Sequence, residues 1–327
     1  MKRPLILLTT LTFFVAGCIT DHVIPDPEPN NEPTALVASP FVSGLQNPIG
    51  IVMDDRGRLF VTNAGTGADD ASIVMIAPDG TKTTVFSGLP SIGGPEAVEG
   101  VSHLTYKDGR IYVLHGISGK LYMTNVNQFE NGDPELTLAD FAVEDIGTYV
   151  RSLGLTDPLN SNAFDIEFGP GGHLYITDAG SNAIIKREQS NGELSLFAKI
   201  PSIGGGDAVP TGIVYDGTSL FVSTLSGFPF AAGAAKIFKV DQFGNVNDYK
   251  WGYTNLTHLV LTAGNKVLAL QFGDFSMGFA PSTGKVVDES GHTLLDLQMH
   301  PTDIIRTGER EFYLLCFGDG TIKKLTY

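Results

Sequence analysis

Residues 301–327 read PTDIIRTGEREFYLLCFGDGTIKKLTY. Three stretches rich in β-branched, aromatic and leucine residues alternate there with Gly-containing turns, the pattern of short antiparallel strands. The same unit occurs five times earlier: an apolar start, a Gly turn, a strand, a second turn and further strand. The starts fall at Gly50-Ile51, His103-Leu104, Asp165-Ile166, Gly212-Ile213, His258-Leu259 and Asp303-Ile304, spaced by 53, 62, 47, 46 and 45 residues. A base period of about 45 residues is what four short strands and their turns require. The last unit is one strand short, and an unassigned strand-like segment, Leu36–Leu45 (LVASPFVSGL), precedes the first. A ring of four-stranded blades closes when the N-terminal strand completes the last blade. The chain is therefore predicted to be all-β, a six-bladed β-propeller closed in that way, with residues 36–327 as a single domain.

Turn signals keep the register of the repeat. Asp79-Gly80 separates strands in the first blade, and Asp108-Gly109, Gly171-Gly172 and Asp216-Gly217 precede the second strand of the next three. Asn191-Gly192, Gly244-Asn245 and Ser290-Gly291 mark the turn between third and fourth strands. The one long interval comes from an insertion after Val126. Within it Leu138, Phe141, Ala142, Ile146, Tyr149, Val150 and Leu153 fall at helical spacing, which predicts a short helix between blades two and three.

The N-terminus has a different character. Lys2 and Arg3 precede an apolar run, Leu5–Ala16, too short to span a bilayer but suited to an export signal. Val15-Ala16-Gly17-Cys18 looks like a bacterial lipobox with Cys18 as the acylated residue; the alternative is an ordinary signal with an incidental cysteine. Residues 19–35, with Pro25, Pro27, Pro29 and Pro33 among Asp, Glu and Asn, bury too little apolar surface to fold and read as a disordered tether. The expected protein is exported and anchored by lipid to the bacterial cell envelope, as a monomer. Asp and Glu total 36 against 21 Lys and Arg, a formal net charge of −15, which argues against nucleic-acid partners. With Cys18 lipidated, Cys316 is the single thiol, and its place in the apolar run Phe312–Phe317 predicts a buried small hydrophobe.

In a propeller the innermost strand begins, and the second strand ends, on one face. The innermost starts give the order Gly50, His103, Asp165, Gly212, His258, Asp303, a Gly-His-Asp series that occurs twice. The second-strand ends give Asn63, His115, Asp178, Thr224, Gln271 and Cys316. Three His and three Asp (His103, His115, His258, Asp165, Asp178, Asp303) thus fall around one mouth of the channel. Imidazole and carboxylate are ligands for Zn2+, and carboxylate with carbonyl and water suits Ca2+. The competing reading is structural: short polar side chains at blade starts bond the backbone groups left open where strands splay. The repeated order fits equally with a duplicated three-blade half.

Other motifs carry less. Ala64-Gly65-Thr66-Gly67 is followed by Asp69 and Asp70 and by no Lys-Ser/Thr pair, so it is not a phosphate loop. There is no Gly-x-Ser-x-Gly elbow to anchor a hydrolase triad. Two loops, Pro90–Gly94 and Pro201–Gly205, both read PSIGG, and Glu96, Glu99 and Asp207 follow them as candidate acid–base groups or solvated surface. The loop Gly227-Phe228-Pro229-Phe230 should lie on the mouth face, where its two rings either wall an apolar pocket or plug the channel.

From about Leu45 to Tyr327 the chain resembles the ScyD/ScyE family of NHL-like six-bladed propellers. The residues that carry the resemblance are Ser161–Phe164, Phe168–Gly172 and Leu174–Asn182, then Val209–Gly212. Leu225–Phe230 with Gly233-Ala234-Ala235 follows, and Gly252–Asn255 completes the set. The chain departs where the family favours Ser-Asn-Pro-Tyr-Gly, having Ser161-Asn162-Ala163-Phe164-Asp165, and it places Ser181 in the Asp178–Asn182 segment. The resemblance implies fold and export and assigns no reaction. The expected function is a binding or scaffold protein holding a ligand or partner at the mouth face, through Gly227, Phe228, Pro229 and Phe230. The alternative is a metal-dependent hydrolase or lyase using the His/Asp positions.

Overall fold

A computed structural model describes residues 32–94 and 98–327. The expected signal segment with Cys18, most of the tether, and Glu96 lie outside the described residues. Six four-stranded antiparallel sheets account for the six repeats. The first blade runs Pro48–Met53, Leu59–Asn63, Ala71–Ile76 and Lys82–Leu89 from the axis outward. In the last, Pro301–Arg306, Glu311–Cys316 and Thr321–Thr326 supply three strands, and Val37–Val42 adds the fourth. Val37 pairs with Thr326 and Val42 with Ile322, so the two ends of the propeller lie in one sheet. Pro40 is tolerated there because this strand is outermost and one of its edges needs no N–H donors.

Each blade is twisted and apolar on both faces, so it is stable only against its neighbours. The core accordingly divides into six clusters, one between each adjacent pair of blades, centred on buried side chains such as Phe60, Ile176, Phe238 and Phe312. Cys316 belongs to the cluster between the fifth and sixth blades, fully buried, and burial pushes its thiol up to about 12.

The insertion carries the expected short helix between blades two and three, but over a narrower span than the apolar spacing indicated. Ala142–Asp145 is the outermost strand of the second blade, paired with Lys120–Asn125, and only Ile146–Ser152 is helical. Leu138–Asp140 forms a single 3-10 turn. The apolar positions read as one helical face are divided between blades: Phe141 packs against Phe86 of the first, while Ile146 and Val150 cover the third. Asp145 ends the strand and starts the helix, since its carboxylate accepts the Thr148 N–H at 2.8 Å. Buried Arg58 ties the insertion to the first blade, bonding Asp54 and the Val126 and Phe129 carbonyls.

Every innermost strand breaks its ladder at the position where the repeat begins. The register slips between Pro48 and Ile51, Val101 and Leu104, Ala163 and Asp165, Pro210 and Ile213, Leu256 and His258, and Pro301 and Asp303. Such bulges re-aim side chains and leave backbone groups unpaired. Hydroxyl groups satisfy the freed carbonyls in a continuous circuit around the axis. Thr62 donates to Ser102 O, Ser102 to Phe164 O, Thr177 to Thr211 O, Thr211 to Leu256 O, Thr257 to Pro301 O and Thr302 to Pro48 O. Where the residue before a blade start lacks a hydroxyl, as at Ile49 and Phe164, a threonine of the second strand supplies it.

Candidate functional site

The bulges deliver four of the six predicted His and Asp side chains to the axis. His258 lies between two carboxylates, with Nε2 at 3.1 Å from Asp165 Oδ2 and Nδ1 at 3.0 Å from Asp303 Oδ1. His103 stacks on it, ring centroids 5.2 Å apart and planes within 6°, with its own nitrogens at 3.0 Å from Phe164 O and 3.3 Å from Thr302 O. All four residues are buried. The carboxylates also serve the backbone of the following blade. Asp165 accepts from Ile213 N–H at 2.8 Å and Asp303 from Ile51 N–H at 2.7 Å.

The doubled Gly-His-Asp order thereby has a physical cause. Each Asp secures the amide that follows the next Gly, and each Gly lets the next His backbone come close. A Cβ on Gly50 would lie 2.7 Å from His103 Cα, and one on Gly212 2.6 Å from His258 Cα. At the centre the two halves differ, one imidazole being held by carboxylates and the other by carbonyls.

Electrostatics follow from this packing. Burial alone would lower His258, but Asp303 and Asp165 outweigh it and raise the imidazole to about 9, so it is a cation at neutral pH. Burial pushes Asp165 up, yet the His258 charge and the amide bond reverse this and leave it lowered. Asp303 stays raised, because burial and the neighbouring Asp165 charge exceed what His258 returns. Glu167, two residues along the innermost strand, is pushed up to about 8 by burial and by Asp165.

His103, His258 and Asp303 each offer one ligand atom, all within 4.8 Å of one another, and so could hold a metal ion. Their donor types suit one, and His258 Nδ1 and Asp303 Oδ1 face each other without an aligned hydrogen bond. His115 and Asp178 are placed elsewhere, at the ends of second strands. His115 contacts Pro90 O and Ser118, and burial lowers its imidazole. Asp178 accepts from the Ser161 hydroxyl and from the Asn162 and Ser181 amides.

Above the four axial residues, on the side of the Phe loop, lies a cavity of about 440 Å³. Its floor is the residue preceding each blade start, Ile49, Ser102, Phe164, Thr211, Thr257 and Thr302, of which the four hydroxyl residues are links of the inter-blade circuit. Gly227, Phe228 and Phe230 wall one side. Phe230 holds φ at 57°, a left-handed conformation costly for a bulky residue. It is fixed there by a hydrogen bond from its N–H to Gly227 O at 3.0 Å and by ring contacts to Phe275 and Phe279. Phe279 continues to Phe272, which stacks on His300, so an aromatic chain runs from the rim to the wall. Phe272, Phe279 and Phe317 are wall residues that the repeat pattern did not single out. They follow second strands or sit in the connection after one, where a Phe reads as core.

The sequence matches no family model and no curated protein. Solved structures do match, and they agree with the architecture. Virginiamycin B lyase of Staphylococcus aureus bound to quinupristin superposes with a TM-score of 0.56 at 18% identity, over 89% of this chain and 99% of that one. A gluconolactonase of Xanthomonas campestris gives 0.57 at 10% identity, covering 90% of each chain. The PQQ-bound aldose sugar dehydrogenase of Streptomyces coelicolor gives 0.55 at 13%, over 90% of this chain and 99% of that one. At such identities the likeness establishes the six-bladed fold alone. The neighbours are lyases, gluconolactonases and dehydrogenases.

Proposed function

We propose that this protein is an exported propeller that takes a small, largely apolar molecule into the mouth pocket and acts on it as a metal-dependent hydrolase or lyase. The observation that carries the reading is the cavity of about 440 Å³, walled mainly by apolar side chains and seated on the layer that covers His103, His258 and Asp303. A concave apolar pocket with a few polar groups suits a small ligand better than a protein partner. A fold shared with lyases, gluconolactonases and dehydrogenases also fits an enzyme better than a scaffold, by analogy of fold.

His103, His258 and Asp303 would hold the cation, and two imidazoles with one carboxylate favour zinc over calcium. When bound, such an ion polarises a carbonyl or activates water. The chain's own part is to fix the group in advance. The Phe164 and Thr302 carbonyls orient His103, and the Ile51 and Ile213 amides orient the two carboxylates. A cation must displace the proton that His258 carries, so its affinity should rise with pH.

A second reading, a ligand-binding protein of the ScyD/ScyE type without chemistry, is favoured by one observation. None of the four axial residues lines the pocket, and most of their polar atoms are engaged by each other and by backbone. Metal analysis of the purified protein separates the readings. Stoichiometric zinc or calcium, lost in His103→Ala and Asp303→Ala, supports the enzyme; a metal-free protein whose melting ignores chelators supports the binder. In both readings Phe228→Ala with Phe230→Ala should weaken ligand binding. Lipid attachment at Cys18, the tether of residues 19–35 and an envelope location belong to the same proposal. Palmitate labelling that persists in Cys18→Ala would refute the anchor.

A further inference from the structure

We propose that the mouth pocket selects a cationic ligand, an aromatic or bulky aliphatic ammonium compound whose apolar body lies on the phenylalanine wall and whose charge sits at the acidic rim. The inference rests on this pocket being the ligand site, and it adds the chemical class of what binds.

Two features of the lining point the same way. Six of the wall and floor residues are Phe164, Phe228, Phe230, Phe272, Phe279 and Phe317. The faces of such rings carry negative potential and attract cations, most strongly where water is thinned out. The charged residues of the described lining are Glu99 and Asp207, both carboxylates, and no Lys, Arg or His lies beside them in the wall. Among the described residues neither carboxylate forms an ion pair.

Asp207 is held in place rather than trailing in solvent. Its Oδ1 accepts from Asn182 Nδ2 at 2.8 Å, its carbonyl accepts from Gly227 N–H at 2.8 Å, and Asn182 Oδ1 in turn accepts from Val209 N–H at 2.8 Å. One carboxylate is thus positioned beside the Phe loop, with an oxygen left for a ligand. Glu99 comes from the lead-in to the second blade, Asp207 from the matching lead-in to the fourth, so the two flank the mouth from different sides. An anion entering the pocket would meet ring faces and carboxylates, with no cationic side chain in the lining to receive it. A neutral apolar molecule would fill the wall and leave the rim unsatisfied.

The test is titration of the full-length protein with three probes of one shape: 1-naphthylmethylammonium, 1-naphthylmethanol and 1-naphthoate. The cation is expected to bind about tenfold more tightly than the alcohol, and the anion more weakly than both. In the Glu99→Gln, Asp207→Asn double variant the cation should fall to the affinity of the alcohol, whose own binding stays unchanged. Both positions are exposed, so folding is not at risk, and Asp207→Asn alone should give part of the loss. An alcohol that binds as tightly as the cation, or a preference that survives the double variant, overturns the charge selectivity and leaves the pocket standing. Failure of all three probes, or binding unaffected by Phe272→Leu and Phe317→Leu, overturns the pocket itself.

Discussion

Replacing His258 by Gln should remove a pH-dependent part of the stability and almost nothing else. In the native ring the imidazole is raised from 6.5 to about 9 by Asp303 and Asp165. Because the folded value is the higher one, the stabilisation is complete below pH 6.5 and is lost as pH climbs through 9. The part of the shift above pH 7 is worth about 2 to 3 kcal/mol at roughly 1.36 kcal/mol per unit. Glutamine can still donate to one carboxylate but brings no charge, so the two acids face each other unneutralised. Urea denaturation of both proteins from pH 6 to 10 is the assay. Glu167, raised to about 8, also makes stability fall with rising pH; it is present in both proteins, so only its coupling to the His258 charge, which lowers it, enters their difference. The expected difference is about 2 to 3 kcal/mol at pH 7, shrinking towards zero by pH 10. A difference that stays constant across that range, or a variant as stable as the parent at pH 6.5, would show that His258 is not held as a cation between the two acids.

The remaining expectations test the frame around it. Gly212→Ala sets a Cβ against the His258 backbone and should cost about 1 to 3 kcal/mol by overpacking, seen as a lower urea midpoint, whereas Gly206→Ala, whose Cβ would meet only Ile203 O at 3.7 Å, should cost less. Phe312→Ala empties the cluster between the fifth and sixth blades, with an expected loss of about 3 to 5 kcal/mol in the same measurement. Cys316, buried and pushed up to about 12, should ignore thiol reagents at pH 8 until the protein unfolds; labelling of the native protein at the rate of a free thiol would contradict the packing. Deleting Val37–Val42 removes the closing strand and should broaden the thermal transition, since the last blade then has an open edge against Thr321–Thr326.

The fold was legible because its determinants are local and repeated. Short β-branched and aromatic stretches and Gly turns recur with a base period of about 45 residues, and the missing strand of Pro301–Tyr327 has its counterpart in Val37–Val42. The insertion was less legible. Phe141, Ile146 and Val150 fall at helical spacing, yet they belong to a strand end and a short helix that cover different neighbours. Spacing alone does not say which partner an apolar residue meets.

The candidate site divides along the same line. From the sequence came the candidates His103, Asp165, His258 and Asp303, the doubled order in which they occur, and the Phe228 and Phe230 loop on the same face. Tertiary structure decided that these four meet on the axis while His115 and Asp178 stay with the backbone. It also decided that a layer of hydroxyls and Phe164 lies between the axial charges and the pocket. The reason is that local sequence sets strands and turns, whereas a bulge in each innermost strand sets direction. Only closure of the ring brings residues from six distant repeats within hydrogen-bonding reach.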